Sequence, residues 1–265
     1  MDWTRRVGRK VPEITVYFWI IKILTTAMGE ATSDYSVHRI DPVIAVILGA
    51  IAFSLALAWQ LMVPRYQPQV YWLALVMVAV FGTMAADVIH VRFGVPYVLS
   101  AVGFAIALVV IFLLWYRTEG TLSIHSVDTP RRELFYWATV LATFALGTAV
   151  GDLTAYTFHL GFFSSGILFT VLIAIPALAY WLFGLHEVAA FWAAYILTRP
   201  LGASFADWMG TPRSLGGLNL GRGTVSIALT VVIVAFVGYL SVTRADVKDS
   251  RANPPRPQTV TEPPA

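Results

Sequence analysis

Apolar runs of about 20 residues, nearly free of charge, recur along the whole chain between short polar joints. They fall at about 14–34, 43–63, 70–90, 95–116, 134–155, 160–183, 187–208 and 223–242. Each is long enough to cross the hydrocarbon of a bilayer as a helix. None shows the short alternating segments of a membrane barrel. Backbone groups in hydrocarbon must be paired within their own segment, so the runs predict helices. The expected fold class is an all-α membrane protein with about eight transmembrane helices.

Composition removes the soluble alternative. Of 265 residues, 58% are hydrophobic and 12% charged, against about 25% charged in soluble proteins. The chain has no cysteine, which excludes disulfides, thiolate metal sites and cysteine nucleophiles. The formal charge of +3 does not predict a nucleic-acid partner, because the basic residues sit in the joints. Arg5, Arg6, Arg9, Lys10, Arg65, Arg117, Arg131, Arg132, Arg244, Lys248, Arg251 and Arg256 fall on the side of the two termini, and only Arg39, Arg92, Arg213 and Arg222 on the other. That asymmetry predicts cytoplasmic termini. No cleavable signal peptide is expected, since the first run contains Lys22 and Glu30 and ends in no A-x-A site.

The expected organisation is a basic cytoplasmic segment at 1–11, one transmembrane domain at 12–242, and a proline-rich disordered cytoplasmic tail at 243–265. The glycine-rich stretch Gly216, Gly217, Gly221, Gly223 matches no phosphate-loop spacing and is expected to be a flexible loop.

Four segments share one register: Phe18-Trp19…Gly29…Ser33-Asp34, Tyr71-Trp72…Gly82…Ala86-Asp87, Tyr136-Trp137…Gly147…Gly151-Asp152 and Phe191-Trp192…Gly202…Ala206-Asp207. Every repeated helix is an odd-numbered run followed by a plainer apolar one. The fold is therefore expected to comprise four parallel two-helix repeats, at about 12–63, 70–116, 134–183 and 187–242. Such repeats are related by an axis along the membrane normal, with odd helices inside and even helices outside. The tryptophans are expected to anchor helix ends at the membrane interface.

Residues four apart share a helix face. Counting by fours through each glycine gives Thr25/Gly29/Ser33, Val78/Gly82/Ala86, Thr143/Gly147/Gly151 and Thr198/Gly202/Ala206. Such small-residue stripes let backbones approach in lipid, so Gly29, Gly82, Gly147 and Gly202 are expected to serve helix packing. A neighbouring stripe runs back from each aspartate: Asp34, Glu30, Thr26, Lys22; Asp87, Thr83, Ala79, Leu75; Asp152, Thr148, Phe144, Val140; Asp207, Ala203, Arg199, Tyr195.

A charge at bilayer depth costs at least about 2.5 kcal/mol. The ionisable residues of the second stripe should therefore face one another or a wet cavity. Glu30, Asp34, Asp87, Asp152 and Asp207 are the candidate cation or proton site, the four aspartates are candidate metal ligands, and Lys22 and Arg199 are candidate charge partners. An aspartate at a span's end can equally cap the next segment, although it is disfavoured at its own helix's C-terminus by the dipole. His38 and His90, just beyond their aspartates, are placed to join a metal site at the mouth, though solvated loop histidines are the commoner case.

The four-fold Trp-x9-Gly-x3-small-Asp pattern resembles a family of bacterial polytopic inner-membrane proteins of uncharacterised function, over about residues 12–242. The resemblance implies a bacterial inner-membrane location. More loosely, the chain resembles cation exchangers with acidic motifs on repeated helices, at different spacings.

The expected function is transport of a small cation, a divalent metal in exchange for protons, with the lipid bilayer as the other partner. Clustered carboxylates suit hard ions such as Mg²⁺, Ca²⁺ or Mn²⁺. One alternative is a non-transporting membrane scaffold or assembly protein. Another is an organic-anion transporter holding its substrate with Lys22 and Arg199. No hydrolase, metalloprotease or P-loop motif occurs, so neither an enzyme nor a cofactor is expected.

Overall fold

The computed structural model describes residues 8–247. The described residues form eight α-helices and no strands: α1 Val16–Arg39, α2 Pro42–Met62, α3 Pro68–Asp87, α4 Tyr97–Glu119, α5 Pro130–Asp152, α6 Gly161–Phe183, α7 Glu187–Gly210 and α8 Arg222–Thr243. Helices α3 and α5 continue past their aspartates as π-helical turns, Val88–Arg92 and Leu153–Thr157.

Local chemistry sets the helix ends. Thr15 accepts a hydrogen bond from Phe18 N. Asp41 accepts from Val43 N and Ile44 N, with Pro42 in the first turn. Thr129 accepts from Arg132 N, again beside a proline. These side chains satisfy donors that a helix start leaves orphaned. Gly120 and Gly184 end α4 and α6 at φ of +69° and +67°, a left-handed turn that glycine adopts without strain.

Six helices are long and apolar enough to cross a membrane; α1 and α7 are not among them. Both are 24 residues long, so length is not what separates them. Lys22, Glu30 and Asp34 lie within α1, and Arg199 and Asp207 within α7. Their company makes this possible, because the odd helices form a closed ring. In it α1 packs on α3, α3 on α5, α5 on α7, and α7 on α1.

The even helices lie outside, and each packs mainly on the odd helix of the next repeat. Thus α2 lies on α3, α4 on α5, α6 on α7 and α8 on α1. Hairpin partners touch far less than these neighbours do. The chain is a cycle of four interlocked units, in which repeat 4 closes onto repeat 1. The outer helices bury one narrow seam, such as Ala101, Leu108 and Trp115 in α4. Their opposite faces leave Val109, Leu113, Ile51 and Leu55 exposed, as lipid-facing surfaces require.

Two sets of contacts repeat around the cycle. The aromatic before each tryptophan lies against the tryptophan of the next repeat: Phe18 with Trp72 (5.9 Å between ring centroids), Tyr71 with Trp137 (5.6 Å), Tyr136 with Trp192 (6.3 Å) and Phe191 with Trp19 (5.7 Å). Trp72, Trp137 and Trp192 are buried. The expectation of interfacial anchors is therefore wrong for these three. Their rings close the interior of the ring at the end that carries both termini.

The repeat glycines form the second set. A Cβ on Gly29 would meet Ala79, one on Gly82 would meet Phe144, one on Gly147 would meet Arg199, and one on Gly202 would meet Thr26. In every case the obstacle is the residue three before the next repeat's glycine. The quasi-four-fold arrangement is thus written into single-residue contacts.

Two loops depart from expectation. The glycine-rich stretch is folded back on the end of α7 by backbone bonds from Leu218 N to Trp208 O (2.8 Å), Asn219 N to Thr211 O (2.9 Å) and Leu220 N to Met209 O (3.0 Å). The segment after α8 is also packed as far as it is described. Glu13 N donates to Asp246 O (3.0 Å) and the Tyr66 hydroxyl donates to the Asp246 carboxylate. Burial raises the pKa of both side chains. The remainder of the expected tail, from residue 248, lies outside the described residues, as do Arg5 and Arg6.

Candidate functional site

The aspartate stripes of the four odd helices converge at the end of the ring opposite the termini. Four residues of helix correspond to about 6 Å of rise, so the stripes stack in layers along the bundle axis. The outermost layer holds Asp34, Asp87, Asp152 and Asp207. The next holds Glu30, Thr83, Thr148 and Ala203. Below it come Thr26, Ala79, Phe144 and Arg199, then Lys22, Leu75, Val140 and Tyr195.

Arg199 is fully buried and reaches across the axis to all three other odd helices. Its Nη2 contacts Glu30 Oε2 on α1, Thr83 Oγ1 on α3 and, at 2.7 Å, Thr148 Oγ1 on α5. The threonines donate to their own helices, to Ala79 O (3.0 Å) and Phe144 O (3.1 Å). Their lone pairs are thereby free to accept from the guanidinium. The Arg199 side chain passes over the Phe144 ring, 5.5 Å from its centroid. Arg199 and Glu30 form the buried ion pair at the centre of the ring.

Among the described residues, no carboxylate pairs with Lys22. Its ammonium lies 4.1 Å from the Phe144 ring centroid and 4.2 Å from that of Tyr195. Such contacts stabilise a desolvated cation by about 2 kcal/mol. Beyond it, the Tyr71 and Tyr136 hydroxyls share a hydrogen bond of 2.5 Å, and the tryptophan girdle follows. The ring is therefore polar at the mouth and filled with aromatics at the end of the termini.

The acids of the mouth divide into two groups. Glu30, Asp34 and Asp207 each offer a carboxylate oxygen within 4.8 Å of the others. This group is compensated: Arg199 pairs with Glu30, and Arg222 Nε lies 2.7 Å from Asp34 Oδ2. The second group joins Asp87, Asp152 and His90, again with donor atoms within 4.8 Å. Among the described residues, no lysine or arginine pairs with Asp87 or Asp152. The base in this group is His90, whose Nδ1 is 3.9 Å from Asp152 Oδ2. His38 stays outside both groups, exposed, with Nδ1 2.6 Å from the Asp34 carbonyl of its own helix.

Three features of this arrangement escape the sequence pattern. Arg222 opens α8 and belongs to no repeated position. Ser100 and Tyr97 of α4, which hold His90, sit on a helix that carries no repeat signature. At the other end, buried Lys10 bonds Glu133 Oε2 (2.5 Å) and Leu61 O (2.9 Å), while Gln60 Nε2 donates to Glu133 Oε1 (2.9 Å). Lys10 thus pins the N-terminal segment across the bundle instead of lying free in a basic tail. The available signal was Glu133 itself, a charge where the other repeats have Thr15, Pro68 and Val188.

Comparison with known proteins agrees with the repeat. The family described as "Repeat of Unknown Function (DUF347)" matches four times, at 17–66, 70–121, 135–184 and 190–246. Each match takes in one odd helix and the even helix after it. No curated protein and no solved structure matches the chain. The four matches together take in most of the sequence, and the chain belongs to the DUF347 repeat family.

Proposed function

We propose that the protein is a membrane transporter of a small cation, a divalent metal exchanged for protons through the acidic mouth of the odd-helix ring. The observation that carries this reading is the convergence of four repeat carboxylates on one axis, directly above a buried Arg199–Glu30 pair. Five carboxylates in the two outer layers face three bases on the axis or at its rim, Lys22, Arg199 and Arg222. Two formal negative charges remain, which one divalent cation or two protons would neutralise. Carboxylates held close together in low dielectric favour either outcome over full ionisation.

The division of the ring supports transport more than scaffolding. A packing role needs the glycine stripe alone, and ionisable residues within a membrane most often mark ion pathways or proton relays. With the aromatic end packed shut, this reading has the acidic end admit the ion in one state of alternating access. The basic asymmetry of the joints gives the proposed sidedness, with the aromatic end and both termini in the cytoplasm of a bacterial cell and the mouth outside its inner membrane. An organic-anion reading is weaker, because Arg199 is engaged by Glu30 and Lys22 lies beneath aromatic rings.

In proteoliposomes, Asp34→Asn and Glu30→Gln are each expected to abolish cation flux and its coupled proton movement. Both proteins should still elute as the wild type does on gel filtration. Undiminished flux in both would sink the acidic mouth as the route, and altered yield and melting with no flux in the wild type would favour a scaffold.

A further inference from the structure

The two acidic groups of the mouth differ in one respect that bears on the ion. In the Asp87–Asp152 group an imidazole stands beside the carboxylates. His90 is more than nine-tenths buried, at 8% relative exposure. Its Nε2 lies 2.6 Å from Ser100 Oγ. Ser100 Oγ is itself 3.0 Å from Tyr97 O and 3.4 Å from Pro96 O, carbonyls that can only accept its proton. The serine oxygen therefore accepts from His90, and the imidazole proton resides on Nε2.

That leaves Nδ1 as a bare lone pair, and it is buried with no hydrogen-bond partner. It faces Asp152 Oδ2 at 3.9 Å. A lone pair opposed to carboxylate lone pairs is repulsive unless a metal cation or a carboxyl proton lies between them. The ring is braced by Tyr97, which packs edge-on against it at 4.4 Å between centroids and is itself stacked on Tyr156 at 5.9 Å. The π-helical turns that follow Asp87 and Asp152 hold both acids and His90 in this position. Such turns are frequent at functional sites.

We infer that Asp87, His90 and Asp152 form a binding site for a divalent first-row transition-metal ion, with His90 Nδ1, Asp87 and Asp152 as its protein ligands. Donor atoms within 4.8 Å of one another can be bridged by one ion with metal–ligand bonds of about 2.0–2.2 Å after small side-chain shifts. One imidazole with two carboxylates suits Mn²⁺, Fe²⁺, Co²⁺ or Zn²⁺ better than Ca²⁺ or Mg²⁺, which take oxygen. The Nε2–H bond to Ser100 is the outer support that metal-ligating histidines use to fix their tautomer. With three protein ligands, the remaining positions are left to water, as an ion that must leave again requires. The inference rests on the transport reading for its purpose but not for its chemistry.

The test is equilibrium dialysis of the purified full chain in detergent against Mn²⁺, Co²⁺ and Zn²⁺ separately, with Mg²⁺ and Ca²⁺ as competitors. One saturable transition ion per chain is expected, little displaced by tenfold excess Mg²⁺. His90→Gln and Asp152→Asn should each weaken it by tenfold or more. Ser100→Ala, which keeps all three ligands, should weaken it by about tenfold or more, and Asp41→Asn, at the exposed start of α2, should leave it unchanged. Absence of saturable binding in folded wild-type protein, or binding unchanged in His90→Gln, would overturn the assignment. Proton or Mg²⁺ flux in a protein that binds no transition ion would refute this site and leave the transport reading standing. His90-dependent binding without flux would do the reverse.

Discussion

Gly202→Ala is expected to lower the melting temperature by roughly 6–12 °C, about 3 kcal/mol for a chain of this size. A methyl group there would meet Thr26 and, at 2.9 Å, the backbone nitrogen of Ala27. A backbone atom cannot rotate aside, so α1 and α7 must separate. Gly29→Ala faces the same difficulty, with the carbonyl carbon of Ala79 at 2.9 Å. Gly147→Ala meets the Arg199 stem and Pro200 Cδ at 3.0 Å, so it should also displace Arg199 from Glu30. The control is internal: Gly103 and Gly238, on the outer helices, have nothing within 4 Å of an added methyl. Alanine there should be neutral or stabilising by up to about 1 kcal/mol. Thermal scans of the five variants decide the matter, and equal melting of Gly202→Ala and Gly238→Ala would show that the ring is not closed as described.

Removing Arg199 should cost still more. Arg199→Met leaves Glu30 buried without its counter-charge and removes the donor shared by Thr83 and Thr148. Breaking a buried pair from one side costs about 3–5 kcal/mol, whereas replacing both partners with apolar groups is often neutral. The Glu30→Met/Arg199→Met double variant is therefore expected to recover much of the lost stability. A double-mutant cycle on melting in detergent should give a coupling of at least about 2 kcal/mol. Additive losses would mean that Arg199 and Glu30 do not meet. The same pair should be dispensable for folding yet needed for flux, since a neutral core offers no charge to exchange.

The glycine and aspartate registers are legible because they repeat. A residue type recurring at a fixed offset in Phe18–Asp34, Tyr71–Asp87, Tyr136–Asp152 and Phe191–Asp207 marks equivalent positions before any coordinates exist. The inner place of the odd helices follows, since only they carry charge at depth. What the repeat cannot express is what breaks it. Arg199 stands where the other repeats have Thr26, Ala79 and Phe144, and its three-way contact depends on a ring closed by α7 packing on α1. Lys22 and Glu30 share one stripe, but Glu30 is paired by a residue 169 positions away. The tryptophans misled for a related reason. Position near a helix end suggests an interface anchor in lipid, but here the aromatic of the neighbouring repeat covers them. Nor does the sequence say which odd helix each even helix covers; it covers that of the next repeat rather than its own hairpin partner.

The chain's lack of cysteine permits a direct measurement of the central claim, that the four stripes line one axis, acidic and reached by solutes at the mouth and closed below. Single variants Asp87→Cys and Asp152→Cys would be compared with Leu75→Cys and Val140→Cys, on the same stripes about 18 Å deeper, in sealed vesicles treated with membrane-impermeant thiol reagents. The mouth positions should react from one side only, and faster with a cationic reagent than with an anionic one of equal size. Leu75→Cys and Val140→Cys, fully buried under the aromatic layers, should remain unmodified. Reaction of Val140→Cys as fast as Asp152→Cys, or no preference for the cationic reagent at the mouth, would contradict the account.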